Sequence, residues 1–156
     1  MRGIANKGEQ KWSRAALRIS GDTLAPDQMT AILGSEPTES GIKGERFSTR
    51  HSAARRTSFW LLESPLKDSL PLADHLEWLL DLVEPKLDLI GSVAEKWRVD
   101  FFCGFASGNG QGGTTFESDL LRRLAHLGIP LVLDLYPPGA TLQVPEEHDD
   151  SSSLIT

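Results

Sequence analysis

"WRVDFFCGFASGNGQGG" (Trp97–Gly113) opens a longer run, "TTFESDLLRRLAHLGIPLVLDLY" (Thr114–Tyr136), and its reading decides the fold. GNGQGG (Gly108–Gly113) matches G-x-G-x-x-G, a dinucleotide-binding fingerprint. A strand-like segment precedes it and a helix-like segment follows. Asp134 stands 21 residues after Gly113, where an acid on the next strand would meet a ribose hydroxyl. That reading demands a doubly wound parallel sheet, whose first strand is covered on both faces and reads as continuous apolar sequence. Trp97–Phe105 alternates instead. Trp97, Val99, Phe101, Cys103 and Phe105 share one face, and Arg98, Asp100, Phe102 and Gly104 share the other. Thr114–Glu117 reads as a capping box, which occupies amide donors and puts a carboxylate where a pyrophosphate would lie. The match begins at residue 108 of 156, leaving no room for the remaining strands. No Lys-Ser/Thr follows, so it is not a P-loop. Gly108–Gly113, four glycines in six residues, is read as a mobile, ligand-free connection. A small nucleotide- or phosphate-binding enzyme or sensor built on this loop is the alternative.

Working outward, Ser13–Ser20 alternates in the same way, with Ala15, Leu17 and Ile19 on one face and Arg14, Ala16, Arg18 and Ser20 on the other. Pro26 suits the first turn of a short helix carrying Met29, Ile32 and Leu33, and Gly34 suits the left-handed position that ends it. Ser35–Arg46 is turn-rich, irregular or a hairpin, and Ser58–Ser64 is a short aromatic strand. Leu72, Leu76, Leu79, Leu80 and Val83 form one face of a helix that Pro85 ends or kinks at Glu84. Leu87, Ile90 and Ala94 continue a helical pattern. Phe116, Leu120, Leu124 and Leu127 mark a last helix capped by Gly128, and Ile129–Tyr136 is the last strand.

The order is β-α-β, helix, β-α-β. It predicts an α+β two-layer sandwich of ferredoxin-like type, with a mainly antiparallel sheet and helices on one face. Leu17/Ile19, Val99/Phe101/Cys103 and Leu131/Leu133/Leu135 are then expected beneath the helices. One domain spans residues 12–138, after a flexible N-terminus (1–11) and before a mostly disordered acidic tail (139–156) holding Glu146, Glu147, Asp149 and Asp150.

Bulk properties narrow the function. A net charge of −6 opposes nucleic-acid binding. One cysteine cannot form an intrachain disulfide, and no apolar run is long enough to span a bilayer, so a cytoplasmic setting is expected. His51, His75, His126 and His148 are scattered and signal no metal site. Cys103, between Phe101 and Phe105, reads as a buried, inert thiol. No G-x-S-x-G elbow is present. Neither a catalytic centre nor a cofactor is expected.

Two surfaces remain. If the first and third strands are central, Arg18, Asp100 and Asp134 lie across neighbouring strands beside Phe102 and Tyr136. An uncovered face with aromatics and paired charges suits a protein partner, while its acids repel nucleic-acid phosphates. The secondary candidate is the basic segment Lys43–Arg56, with Arg46, Arg50, Arg55 and Arg56.

"LRISGD" (Leu17–Asp22), "LGSEPT" (Leu33–Thr38), Trp60, "HLEWLL" (His75–Leu80) and "LGIPLVLDLY" (Leu127–Tyr136) together resemble the bacterial domain of unknown function 4279 family, over roughly residues 15–137. The Arg-rich segment before Trp60 and the glycine loop have no match in that pattern. The resemblance implies a small cytosolic α+β protein of bacteria and transfers no activity or catalytic residue. The expectation is a non-catalytic partner-binding domain, in one concrete form an immunity-type protein that neutralises a basic partner.

Overall fold

The computed structural model describes residues 11–48, 51–107 and 111–136. The chain runs β1 (Lys11–Gly21), α1 (Pro26–Leu33), β2 (Glu39–Gly41), β3 (Arg46–Ser48), β4 (His51–Ala54), β5 (Ser58–Glu63), α2 (Leu72–Val83), α3 (Leu87–Lys96), β6 (Arg98–Ser107), α4 (Ser118–Leu127) and β7 (Leu131–Leu135). It is an α+β fold. Five strands form one sheet in the order β2-β5-β1-β6-β7, and β3 and β4 form a separate two-stranded ribbon. All neighbours in the large sheet are antiparallel except β6 and β7. Among the described residues no helix is long and apolar enough to cross a membrane.

Period-2 alternation sets one layer and period-3.6 stripes set the other. Leu17, Ile19, Trp60, Leu62, Val99, Phe101 and Cys103 point to the face that meets Met29 and Leu33 of α1, Ile90 and Val93 of α3, and Leu120 and Leu127 of α4. Between them lies the α2 stripe, Leu72, Leu76, Leu79, Leu80 and Val83, fully buried as its spacing predicts. Burying each such side chain stabilises by roughly 1.5–3 kcal/mol before ordering costs. Gly34 and Gly128 end α1 and α4 in the left-handed region, at φ 66° and 73°. Pro85 ends α2 at Val83, and a single 3-10 turn, Glu84–Lys86, leads into α3.

Five details differ from the sequence reading. The split β-α-β order of a ferredoxin-like sheet is replaced. β1 and β6 are central, but β5 lies beside β1 and β7 lies beside β6 in parallel. The long connection between β1 and β5, with its extra ribbon, returns the chain antiparallel, so no strand separates them. Leu131, Leu133 and Leu135 face the helix side yet are 37%, 43% and 65% exposed, because β7 is an edge strand beyond the helical cover. The capping box fails. α4 starts at Ser118, its N-cap is Glu117 without a side-chain bond, and Phe116 packs on the core from the preceding coil. In α3 it is Val93, not Ala94, that is buried, and in α1 Ile32 is exposed. The termini and Gly108–Gly110 lie outside the described residues, so the expected mobility of the glycine loop and disorder of residues 139–156 do too.

The open sheet face as candidate functional site

Helices cover one face of the sheet. The other carries Trp12, Arg14, Ala16, Arg18 and Ser20 from β1, because successive residues of a strand point to opposite sides. Beside them the register sets Phe59, Leu61 and Glu63 of β5, then Arg98, Asp100, Phe102 and Gly104 of β6. Glu39 of β2 and Val132 and Asp134 of β7 complete the rows.

Two clusters organise this face. In the first, Arg18 of β1 donates from Nε and Nη2 to the two carboxylate oxygens of Asp100, both at 2.9 Å. Arg98 Nε adds a third bond at 3.0 Å, and the Asp100 side chain is wholly buried beneath the two guanidinium groups. Arg18 also lies over the Phe102 ring, 4.4 Å from its centroid. Arg18 with Asp100 is the pairing that opposite charges on adjacent strands are expected to make, while Arg98 reaches Asp100 from two residues away on the same strand. Asp134 does not join them. It sits opposite Gly104, and its hydrogen bond with the Tyr136 hydroxyl pushes that phenol's pKa up.

The second cluster is a hollow of ≈ 400 Å³. Its floor is Ala16 and Gly104, two small residues of the central strands, with Phe102 and Leu61 beside them. Trp12 and Tyr136 meet above Gly104, with ring centroids 4.8 Å apart at 55°. A Cβ on Gly104 would come within 3.1 Å of the Trp12 ring and 3.5 Å of the Tyr136 ring. The polar rim is Arg14, Glu39 and Glu63. Arg14 is held by Asp68 through bonds of 3.1 and 3.0 Å, and lies 3.9 Å from Glu63. Glu39 is exposed and makes no ion pair among the described residues.

Of the expected surface, Arg18, Asp100, Phe102, Asp134 and Tyr136 all lie on this face, but Asp100 has no exposed surface beneath Arg18 and Arg98 and cannot itself touch a partner. Trp12, Ala16, Glu39, Leu61, Glu63 and Gly104 were not singled out from sequence. An isolated glycine inside a strand signals close approach of another group, and Gly104 carried that signal. The basic segment divides. Lys43 pairs with Asp22 at 2.7 Å, Arg46 and Arg56 are exposed, and Arg50 lies outside the described residues. Arg55 packs over Phe59 at 4.9 Å, so part of this segment reaches the open face.

The remaining candidates are on the helix side. Cys103 is fully buried, and burial followed by the nearby Asp100 charge pushes its thiol up to about 12. A thiol so held is not a nucleophile at neutral pH. His75 is buried, with Nδ1 3.1 Å from Ser64 Oγ. The described end of the glycine loop, Gly113 with Thr114 and Thr115, lines a separate hollow of ≈ 390 Å³ with Lys11, Ser13 and Pro71. Gly112 is at φ 117°, and a Cβ there would meet Lys11 Cε at 2.6 Å.

Fold and site together define an α+β sheet protein with one face that no described helix covers and that carries a hollow. A family model described as a domain of unknown function (DUF4279) matches residues 10–138, and the chain belongs to that family. No curated protein and no solved structure matches it.

Proposed function

We propose that this chain is a non-catalytic partner-binding domain that docks a basic protein segment on its open sheet face, in the manner of an immunity-type neutralising protein. The carrying observation is the hollow over Ala16 and Gly104, an apolar floor walled by Trp12, Tyr136 and Phe102 and rimmed by carboxylates. Concave apolar surface with a few convergent polar groups suits a buried anchor residue from a partner. The rim favours a cationic anchor. Glu39 and Glu63 outnumber Arg14, which Asp68 already holds, and the whole chain carries −6. An arginine or lysine side chain would lay its stem on Ala16 and its charge against Glu39. Nucleic acid fits poorly, since these carboxylates oppose phosphate. The buried Cys103 and His75 on the other side of the sheet leave the open face without an activated nucleophile. A cytoplasmic, bacterial setting belongs to this reading; the single buried thiol needs no oxidising compartment, which favours the cytoplasmic part of it.

The test is capture of the native partner, followed by binding measurements on Tyr136→Ala and Ala16→Leu. Each is expected to weaken the complex at least roughly thirtyfold with the fold intact, as loss of a hot spot does. Asp134→Asn is expected to slow association more at low than at high salt. Unchanged affinity for both hollow variants moves the interface elsewhere, first to the Lys43–Arg56 segment.

A further inference from the structure

We propose that the hollow between the start of β1 and the start of α2 binds a small carboxylate with an apolar body, held by Lys11, Ser13, Thr114 and Thr115. The proposal is independent of the open-face reading. Lys11 and Ser13 share the helix-side parity of Ala15 and Leu17, opposite Trp12 and Arg14.

Unequal strand lengths build the site. β1 pairs with β6 from Lys11 onward but with β5 only from Ala16. At Ser13 the other side of β1 is met by the segment before α2, whose Asp68 carbonyl accepts from the Ser13 amide at 2.8 Å. Ser69, Leu70 and Pro71 of that segment, Phe105 across from Ser13, and Gly113–Thr115 then border ≈ 390 Å³. That is room for a small molecule.

The polar groups of this hollow lack partners. Ser13 is only 3% exposed, yet its hydroxyl lines the hollow and makes no hydrogen bond among the described residues. A buried hydroxyl left unpaired is costly, so one that opens on a cavity marks a place for a ligand's acceptor. The Thr114 and Thr115 hydroxyls line the same hollow and are likewise unbonded among the described residues. Lys11 is the one charged group of the described lining, and it makes no ion pair there. Its stem lies across Gly112, where a Cβ would come within 2.6 Å of Cε and 2.9 Å of Nζ, an approach that a glycine permits. α2 starts beside Pro71, which gives no side-chain cap, so the positive end of a 12-residue helix adds to Lys11. The rest of the wall, Phe105, Leu70 and Pro71, is apolar. One cation and three hydroxyls in such a wall balance a single negative charge, whereas a phosphate dianion would carry uncompensated charge away from water. A carboxylate at Lys11 and Ser13 with its apolar body on Phe105 suits both halves of the lining.

The test is a titration of the full chain with 3-phenylpropionate, followed by amide NMR, with uncharged 3-phenylpropanamide and with phenyl phosphate as comparisons. The acid is expected to shift the Ser13, Gly113, Thr114 and Thr115 amides saturably below about 10 mM, while Leu61 and Glu63 on the open face stay still. The uncharged amide is expected to bind at least about tenfold more weakly, and the acid to lose at least about as much on Lys11→Gln. Gly112→Ala keeps the charge but displaces the Lys11 stem, and a loss of binding there assigns the effect to the placement of the ammonium. Unmoved Leu17 and Phe101 signals report an intact sheet in each variant. The absence of a saturable shift overturns the proposal, as does equal binding of acid and amide or full affinity in Lys11→Gln. Tighter binding of phenyl phosphate than of the acid overturns the assignment to a carboxylate, and shifts confined to the open face overturn the site.

Discussion

Arg18 clasps Asp100 across the two central strands, with paired bonds of 2.9 Å to a carboxylate that has no exposed surface. Desolvation makes this contact costly to break and cheap to replace as a unit. Arg18→Met, which leaves Asp100 to Arg98 alone, is expected to lower unfolding free energy by about 2 kcal/mol in urea. Arg18→Met combined with Asp100→Leu should be less destabilised than the sum of the single changes. Additive losses would show that the two groups do not act as a pair.

Gly104 sets the depth of the hollow. Gly104→Val places its Cβ against the Trp12 and Tyr136 rings, which must part. Near-ultraviolet circular dichroism should change while far-ultraviolet signal persists, with a stability loss of about 1–2 kcal/mol from overpacking. An unchanged aromatic signal would mean that the two rings do not meet over Gly104 in solution.

The Cys103 thiol gives a pH signature. Its pKa is raised by burial, so the folded state keeps the proton to about 12 while the unfolded chain releases it near 9. Its contribution to stability is therefore full below pH 9 and is lost as pH rises from there toward 12. The loss is about 1.4 kcal/mol per pH unit over that window. Cys103→Ala should flatten the alkaline limb of the stability curve relative to the natural chain. Thiol reagents at pH 8 should label Cys103 only in denaturant.

Arg123 ties α4 to the end of α2 through Glu84 at 2.8 and 3.0 Å and Asp81 at 2.6 Å. Its hydrogen bond is the main cause that holds the Glu84 carboxyl below its usual range. That stabilisation is present above the ordinary carboxylate range and lost as pH falls through the lowered value. Arg123→Gln is expected to cost about 1 kcal/mol at pH 7 and almost nothing at pH 2 or in 1 M salt. A loss of equal size in acid would assign the effect to packing of the arginine stem.

The sequence by itself determined the two layers. Alternation in Ser13–Ser20 and Arg98–Phe105 announced a sheet with one open face, because side-chain direction in a strand follows from local geometry alone. The α2 stripe, the Pro85 break and the left-handed glycines after α1 and α4 were legible for the same reason, being set by residues within a few positions of each other. Arg18, Asp100, Phe102, Asp134 and Tyr136 were placed on the right face by that parity. What only the tertiary structure decided was which strands are neighbours. Pairing of β5 with β1 and of β7 with β6 joins residues far apart in sequence, and no local pattern ranks such partners. That choice left Leu131, Leu133 and Leu135 at an edge instead of in the core. It also gathered Trp12, Ala16, Leu61, Glu63 and Gly104 from three strands, with Tyr136 from just past β7, around one hollow. A concavity arises from the relative size of neighbouring side chains, and neighbours across a sheet exist only once the strands have paired.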